Sequence, residues 1–255
     1  MLKTVRTVLV GTSVIAMAAA AGVQGAAAAT ASPAARATVC SGSLAPGTYH
    51  GLIVKRACII AKGPVLVAGN VVLKPGSVFN AVSTAVLTVR GNILVGRGAL
   101  VGLGCSPEVG CKTLTPDRFH GNIVARQPLD VIVQSGTIFG HVFVTGGGGG
   151  RNCKTNPLLK SPNFSTIEDT TVRGTVTFAG MRSCWFGMIR DHIHGNVIIR
   201  GNKWADPDAN EVVTNVFFGS VFCRNNVPEP QVGDSKGKPN VIFGSKRGCP
   251  QLPVR

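Results

Sequence analysis

The chain has 255 residues, with 26 lysines and arginines against 11 aspartates and glutamates, a formal net charge of +15 and 33 glycines. So basic a balance favours polyanionic partners such as acidic polysaccharide, wall polymer or nucleic acid. The scarcity of acids leaves little for chemistry that needs paired or clustered carboxylates, and apolar residues alternating with period two exclude a helical bundle.

Residues 1–31 carry a three-part export pattern: Lys3 and Arg6 first, then an apolar stretch from Val8 to Val23, then the alanine-rich run Ala26 to Ala31 with small-x-small sites such as Ala29-Thr30-Ala31. This reads as a secretory signal peptide. The competing reading is a membrane anchor, but a spanning helix needs about 20 apolar residues and this stretch is shorter and alanine-rich. Residues 32–255 are then expected to form one secreted domain, extracellular or wall-associated, with no membrane span once the signal is removed.

All eight cysteines follow that segment: Cys40, Cys58, Cys105, Cys111, Cys153, Cys184, Cys223 and Cys249. An even number in an exported chain implies disulfides, and the lack of any Cys-x-x-Cys pair argues against structural zinc. Pairing of sequence neighbours is expected, foremost Cys105–Cys111 and Cys223–Cys249, each in or spanning a loop-like segment.

The strongest signal is an internal repeat. Eight segments align: Gly69-Asn70-Val71-Val72-Leu73, Gly91-Asn92-Ile93-Leu94-Val95, Gly121-Asn122-Ile123-Val124-Ala125, Gly140-His141-Val142-Phe143-Val144, Gly174-Thr175-Val176-Thr177-Phe178, Gly195-Asn196-Val197-Ile198-Ile199, Gly219-Ser220-Val221-Phe222-Cys223 and Pro239-Asn240-Val241-Ile242-Phe243. The second and fourth positions after the first residue are apolar throughout, as is the second before it from Val67 to Phe217. Alternate positions share a strand face, so each repeat reads as a strand, a Gly-Asn bend and a second strand. Glycine is expected at the bend for its tolerance of positive φ, and asparagine because it visits the same region.

The segments start 22, 30, 19, 34, 21, 24 and 20 residues apart. The short spacings suit one coil of three strands and three bends. The long ones carry insertions, one with Cys105 and Cys111, the other with Gly146–Gly150 and Cys153. The expected fold is all-β: a right-handed parallel β-helix (solenoid) of about eight coils, roughly 38 Å long at a rise of about 4.8 Å per coil, with disulfide-pinned insertions. A sandwich would call for Asn-Gly or Asp-Gly hairpins, and a propeller for a longer repeat.

Open solenoid ends need covers. Residues from about 40 to 64 are expected to cap the start, with Tyr49-His50-Gly51-Leu52-Ile53 in register and Lys55 at an inward position. A tail from about 224 to 255, rich in proline, is expected to cap the other end. That tail, Cys223, then Pro228-Glu229-Pro230-Gln231-Val232-Gly233-Asp234-Ser235, then Pro239-Asn240 and Gly248-Cys249, resembles the ending of uncharacterised secreted β-solenoid proteins of actinobacteria, and the last Gly-Asn-Val coils are similar too. The resemblance implies a secreted β-solenoid with a terminal disulfide and brings no activity with it. The Cys105–Cys111 insertion falls outside the matched pattern.

In a solenoid, outward side chains at equivalent positions form columns. The position before each glycine gives Ala68, Arg90, His120, Phe139, Arg173, His194 and Phe218. Three before gives Leu66, Thr88, Arg118, Thr137, Thr171, His192 and Val216. One face is thus expected to carry Arg90, Arg118, His120, Arg173, His192 and His194. Guanidinium groups pair bidentately with carboxylates or phosphates, so this is a candidate anion-binding face; the bland alternative is a solvated sheet face of ordinary strand residues. The third position after each glycine should also point outward, yet it reads Val72, Leu94, Val124, Phe143, Thr177, Ile198, Phe222 and Ile242. So large an apolar stripe is either covered by the insertions or an interface, for instance between two copies of the chain.

Asp117 and Asp191 share a repeat position, but their coils lie three registers apart, roughly 14 Å, too far for a glycosidase pair. Asp191-His192-Ile193-His194 puts two imidazoles on one face without a third metal ligand. No Gly-x-Ser-x-Gly or phosphate loop is present. No catalytic residue, metal or cofactor is therefore assigned. Three readings stand: a non-enzymatic binder of anionic polysaccharide or cell-wall polymer, with no specific nucleic acid; a β-helix polysaccharide lyase or hydrolase; and a structural surface protein that self-associates through the stripe.

Overall fold

A strand of three or four residues with one apolar side cannot bury that side alone; it needs neighbours laid against it along a common core. The computed structural model describes residues 36–157 and 159–255, so the export segment lies outside the described residues. Among these, every strand pairing is parallel except one small hairpin, Thr155–Asn156 with Ser161–Pro162.

The chain visits three faces in rotation. The first is a nine-stranded sheet that runs from Gly47–Tyr49 through Pro64–Val67 and Val86–Val89 to Val241–Ile242. The second and third belong to one 16-stranded sheet, because Leu52–Ile59 is long enough to turn the corner between them. Its Leu52–Val54 half pairs with Val71–Leu73 on the second face, and its Ala57–Ile59 half pairs with the start of Val78–Ala81 on the third. Each later strand lies on its predecessor one circuit earlier. The protein is all-β with long parallel sheets, consistent with a parallel β-helix.

Inward positions stack into the core. On the first face Val67, Val89, Phe119, Ile138, Val172, Ile193 and Phe217 are in register and buried. Each such side chain contributes about 1.5–3 kcal/mol by leaving water, as an upper estimate. Farther along, Phe178, Phe186 and Trp204 fill the interior with ring centroids 4.5 and 5.4 Å apart.

The repeat glycines have a different purpose from the one expected. None of Gly69, Gly91, Gly121, Gly140, Gly174, Gly195 and Gly219 has positive φ. They stack directly on one another, and a Cβ on Gly91 would sit 2.6 Å from the Gly69 carbonyl oxygen. The requirement is close approach of backbones. Left-handed residues form a column at the next bend instead, between the second and third faces: Gly76, Gly98, Gln127, Gly146, Gly180, Gly201 and Asn225. Asparagine follows the stacked glycine because its side chain bridges circuits. Asn70 Oδ1 accepts the Asn92 N–H at 2.7 Å, Asn92 Oδ1 that of Asn122 at 2.8 Å, and Asn122 Oδ1 that of His141 at 2.8 Å. His141 Nδ1 then accepts the Thr175 N–H at 2.9 Å. The ladder satisfies corner amides that have no strand partner.

Two register assignments are corrected at the ends. Leu52 pairs with Val71, so His50 rather than Gly51 takes the first glycine place. Leu52 and Val54 face in and Lys55 faces out. The stacked glycine is needed only where the backbone of a preceding circuit presses on it; the strand before this circuit, Thr38–Ser43, begins opposite Leu52, two places past His50. At the far end Val216 pairs with Val241 and Val221 with Lys246, so Val241–Ile242 belongs to the first face and Gly244 is the last stacked glycine. Residues 249–255 fold back over this end, where Asn240 N–H donates to the Pro253 carbonyl at 3.0 Å.

All four disulfides join sequence neighbours: Cys40–Cys58, Cys105–Cys111, Cys153–Cys184 and Cys223–Cys249. So many crosslinks point to an oxidising, extracellular environment.

Candidate functional site

The first face brings the expected residues together. Thr88, Arg118, Thr137, Thr171 and His192 stand in one register column. The neighbouring column, one residue before each stacked glycine, is held by backbone bonds of 2.8 Å from Arg90, His120, Arg173 and His194 to Val67, Val89, Ile138 and Val172 of the preceding strands. Two runs of its side chains touch along the axis, His120 with Phe139 and Arg173 through Phe243. His120 stacks on Phe139 with centroids 4.8 Å apart, and His194 stacks on Phe218 at 4.5 Å. Phe218 stacks in turn on Phe243 at 5.4 Å, and Arg173 Nη1 lies 3.3 Å from His194 Nε2. Phe243, 68 % exposed, extends the column one step beyond its expected end. Partial burial, then the charges of Arg173 and His192, hold His194 below the ordinary histidine value.

The acids are elsewhere. Among the described residues the ion pairs all converge on Arg190, which reaches Glu108 at 2.8 Å, Glu168 at 3.6 Å and Asp169 at 2.7 Å. Arg90, Arg118 and Arg173 have no carboxylate partner there. Asp117 and Asp191 point inward, with the parity of Phe119 and Ile193, and are buried. Burial pushes Asp117 up to about 7 and Asp191 well above the ordinary carboxylate range. Asp130, on the third face, is pushed by burial up to about 8. Asp191 therefore cannot serve a ligand at His192 and His194, although it is their sequence neighbour.

The insertions do not cover the apolar stripe, which removes the first of its two expected explanations. They leave the chain after Leu103 and after Thr145, at the two bends that flank the third face, and fold over that face. Val109 of the first and Leu159 of the second line a groove of about 390 Å³ with Ile59, Val78, Leu100 and Ile132. Glu108 of the first insertion is anchored to Arg190. On the second face Val72, Leu94, Val124, Phe143, Ile198 and Phe222 stand in register, each half-buried or exposed.

A further feature escaped the sequence reading. Arg126, Arg200 and Arg224 share one register column at the margin of the stripe, with Arg97 beside it and Arg247 at its end. All five are exposed. For all but Arg247 the available signal was a basic residue five or six places after the repeat glycine. No family model matches this chain, and no curated protein or solved structure is similar to it.

Proposed function

We propose that the protein is a secreted, right-handed β-helix of about eight coils, related to the actinobacterial solenoids its tail resembles, that binds an anionic extracellular polysaccharide or cell-wall polymer without chemistry of its own. The observation that carries this reading is the first-face ladder. Arg90, His120, Phe139, Arg173, His194 and Phe218 occupy one place per circuit; His120 touches Phe139, His194 touches both Arg173 and Phe218, and none of the six has an acid partner among the described residues. Arg90 and Arg173 stand three steps apart, about 14 Å at about 4.8 Å per step, with Arg118 in the neighbouring column between them; such spaced cations suit a chain of repeating carboxylates or phosphates, and His120, His192 and His194 add hydrogen bonds along the track. Guanidinium supplies bidentate hydrogen bonds to such groups, and the aromatic rings stack on flat or apolar parts of the polymer.

The test is retention on polygalacturonate, on a polyol-phosphate wall polymer and on neutral dextran at low and moderate salt, with reducing ends and unsaturated products followed in the same wells. Salt-sensitive retention on the acidic polymers alone, reduced at least about tenfold by Arg90→Glu with Arg173→Glu, is expected. Unchanged retention in that double variant would overturn the reading. Product formation would favour a polysaccharide lyase or hydrolase instead.

A further inference from the structure

We propose that the second face is a docking surface for an anionic lipid bilayer, on which the exported protein lies flat without crossing it. The proposal concerns a surface other than the polymer-binding face, and it rests on what the fold leaves there. The stripe of Val72, Leu94, Val124 and Phe143, continued past the buried Thr177 by Ile198 and Phe222, runs the length of the face, and both insertions turn away from it. Side chains stacked at the strand spacing shield one another, so the stripe offers a shallow ridge of tips; Phe143 is 36 % exposed. That shape suits the headgroup boundary of a membrane, where amphipathic elements sink their apolar side a few ångströms. Among the described residues no helix is long and apolar enough to span one.

Charge complements the same surface. Arg97, Arg126, Arg200 and Arg224 follow one margin of the stripe and Arg247 closes its end. None of the 11 acidic residues of the chain falls in a second-face strand. Shallow hollows open where ridge meets cations, one lined by Val124, Arg126 and Phe143, another by Ile198, Arg200, Phe222, Arg224 and Arg247. Each could seat a phosphate beside an acyl chain. A soluble polyanion would use the arginines and leave the ridge in water; an anionic bilayer uses both, since surface potential and apolar insertion act together.

The experiment takes the disulfide-bonded protein from the medium of an exporting host. Its co-sedimentation is measured with vesicles of phosphatidylcholine alone and of phosphatidylcholine mixed with phosphatidylglycerol. Binding at least about tenfold tighter to the mixed vesicles is expected. Arg200→Glu with Arg224→Glu should lower it at least about tenfold, and Phe143→Ser with Phe222→Ser about fivefold or more even at low salt, each variant keeping the thermal transition of the parent. Arg90→Glu with Arg173→Glu should retain most vesicle binding while losing acidic polymer, which separates the two surfaces. Three outcomes would each overturn the proposal: no preference for the anionic vesicles, second-face variants that bind like the parent, or a dimer in sedimentation equilibrium that Phe143→Ser with Phe222→Ser dissociates. The last would assign the ridge to a second copy of the chain.

Discussion

Asn215 accepts the backbone N–H of Asp191 through Oδ1 at 2.8 Å and donates its Nδ2 to the Met188 carbonyl at 2.8 Å. Asp191 repeats the first half of this arrangement one circuit earlier, accepting the Thr170 N–H at 2.9 Å, but its Oδ2 has no partner. A carboxylate can only accept, whereas an amide or a protonated acid can do both. The column prefers the neutral form at Asp191 and at Asp117, whose Oδ1 accepts the Leu87 N–H at 2.9 Å.

Stability should therefore fall as pH rises. The folded chain keeps protons on Asp117 and Asp130 up to about 7 and 8, while the unfolded chain releases them near about 4. Their contribution is full below that unfolded value and is lost as pH climbs through the folded values. Asp191→Asn should raise stability at pH near 8 by about 1–3 kcal/mol and flatten the pH dependence, as read by urea denaturation across that range. A variant weaker than the parent at the alkaline end would refute the argument.

The two classes of glycine should respond differently to alanine. A Cβ on Gly140 would lie 2.5 Å from the Gly121 carbonyl oxygen, whereas Gly76, at φ of 70°, has nothing within 4 Å. Gly140→Ala forces stacked backbones apart and should cost about 3 kcal/mol. Gly76→Ala meets only the left-handed penalty, about 1–2 kcal/mol. Thermal unfolding of the two variants checks the order; equal losses would contradict the steric role of the stacked column.

Removing a disulfide should cost more the longer the loop it closes, rising with the logarithm of loop length. Cys153–Cys184 spans 31 residues and Cys105–Cys111 only six. Chain entropy alone gives about 3.7 kcal/mol for the first and about 2.2 for the second. Paired alanine substitutions compared by denaturant midpoint test this, with Cys153→Ala and Cys184→Ala expected to be the weaker protein.

Arg190 is the tie between the first insertion and the third face. Its guanidinium bonds to both oxygens of Asp169, at 2.7 and 2.8 Å, and to Glu108. Burial, with Glu108 adding to it, already pushes Glu168 up to about 7. Arg190→Ala would leave the buried Glu168 and half-buried Asp169 facing each other and the exposed Glu108 at a cost of about 3 kcal/mol, and should make the Cys105–Cys111 loop more accessible to protease. An intact loop and an unchanged melting curve would mean that the ion pairs contribute nothing net.

Much of the molecule could be read from residue order. Period-two alternation dictated strands, and the recurring glycine set the circuits. Together they placed Arg90, His120, Arg173 and His194 in one column and Arg118 and His192 in another. Even cysteine number and spacing anticipated the neighbour pairing. These features are local, because the side on which a strand residue lies depends only on its parity along the chain. The rest needed the neighbouring circuit. His50 can replace glycine because the preceding strand, Thr38–Ser43, begins only opposite Leu52. Asn70 and its equivalents follow glycine to reach amides one turn away, and Asp191 is neutral and buried while His192 beside it is exposed. Above all, only the tertiary structure decided that the second face stays bare. Insertions cover whichever face their bends adjoin, and that is a property of the wound chain rather than of any segment in it.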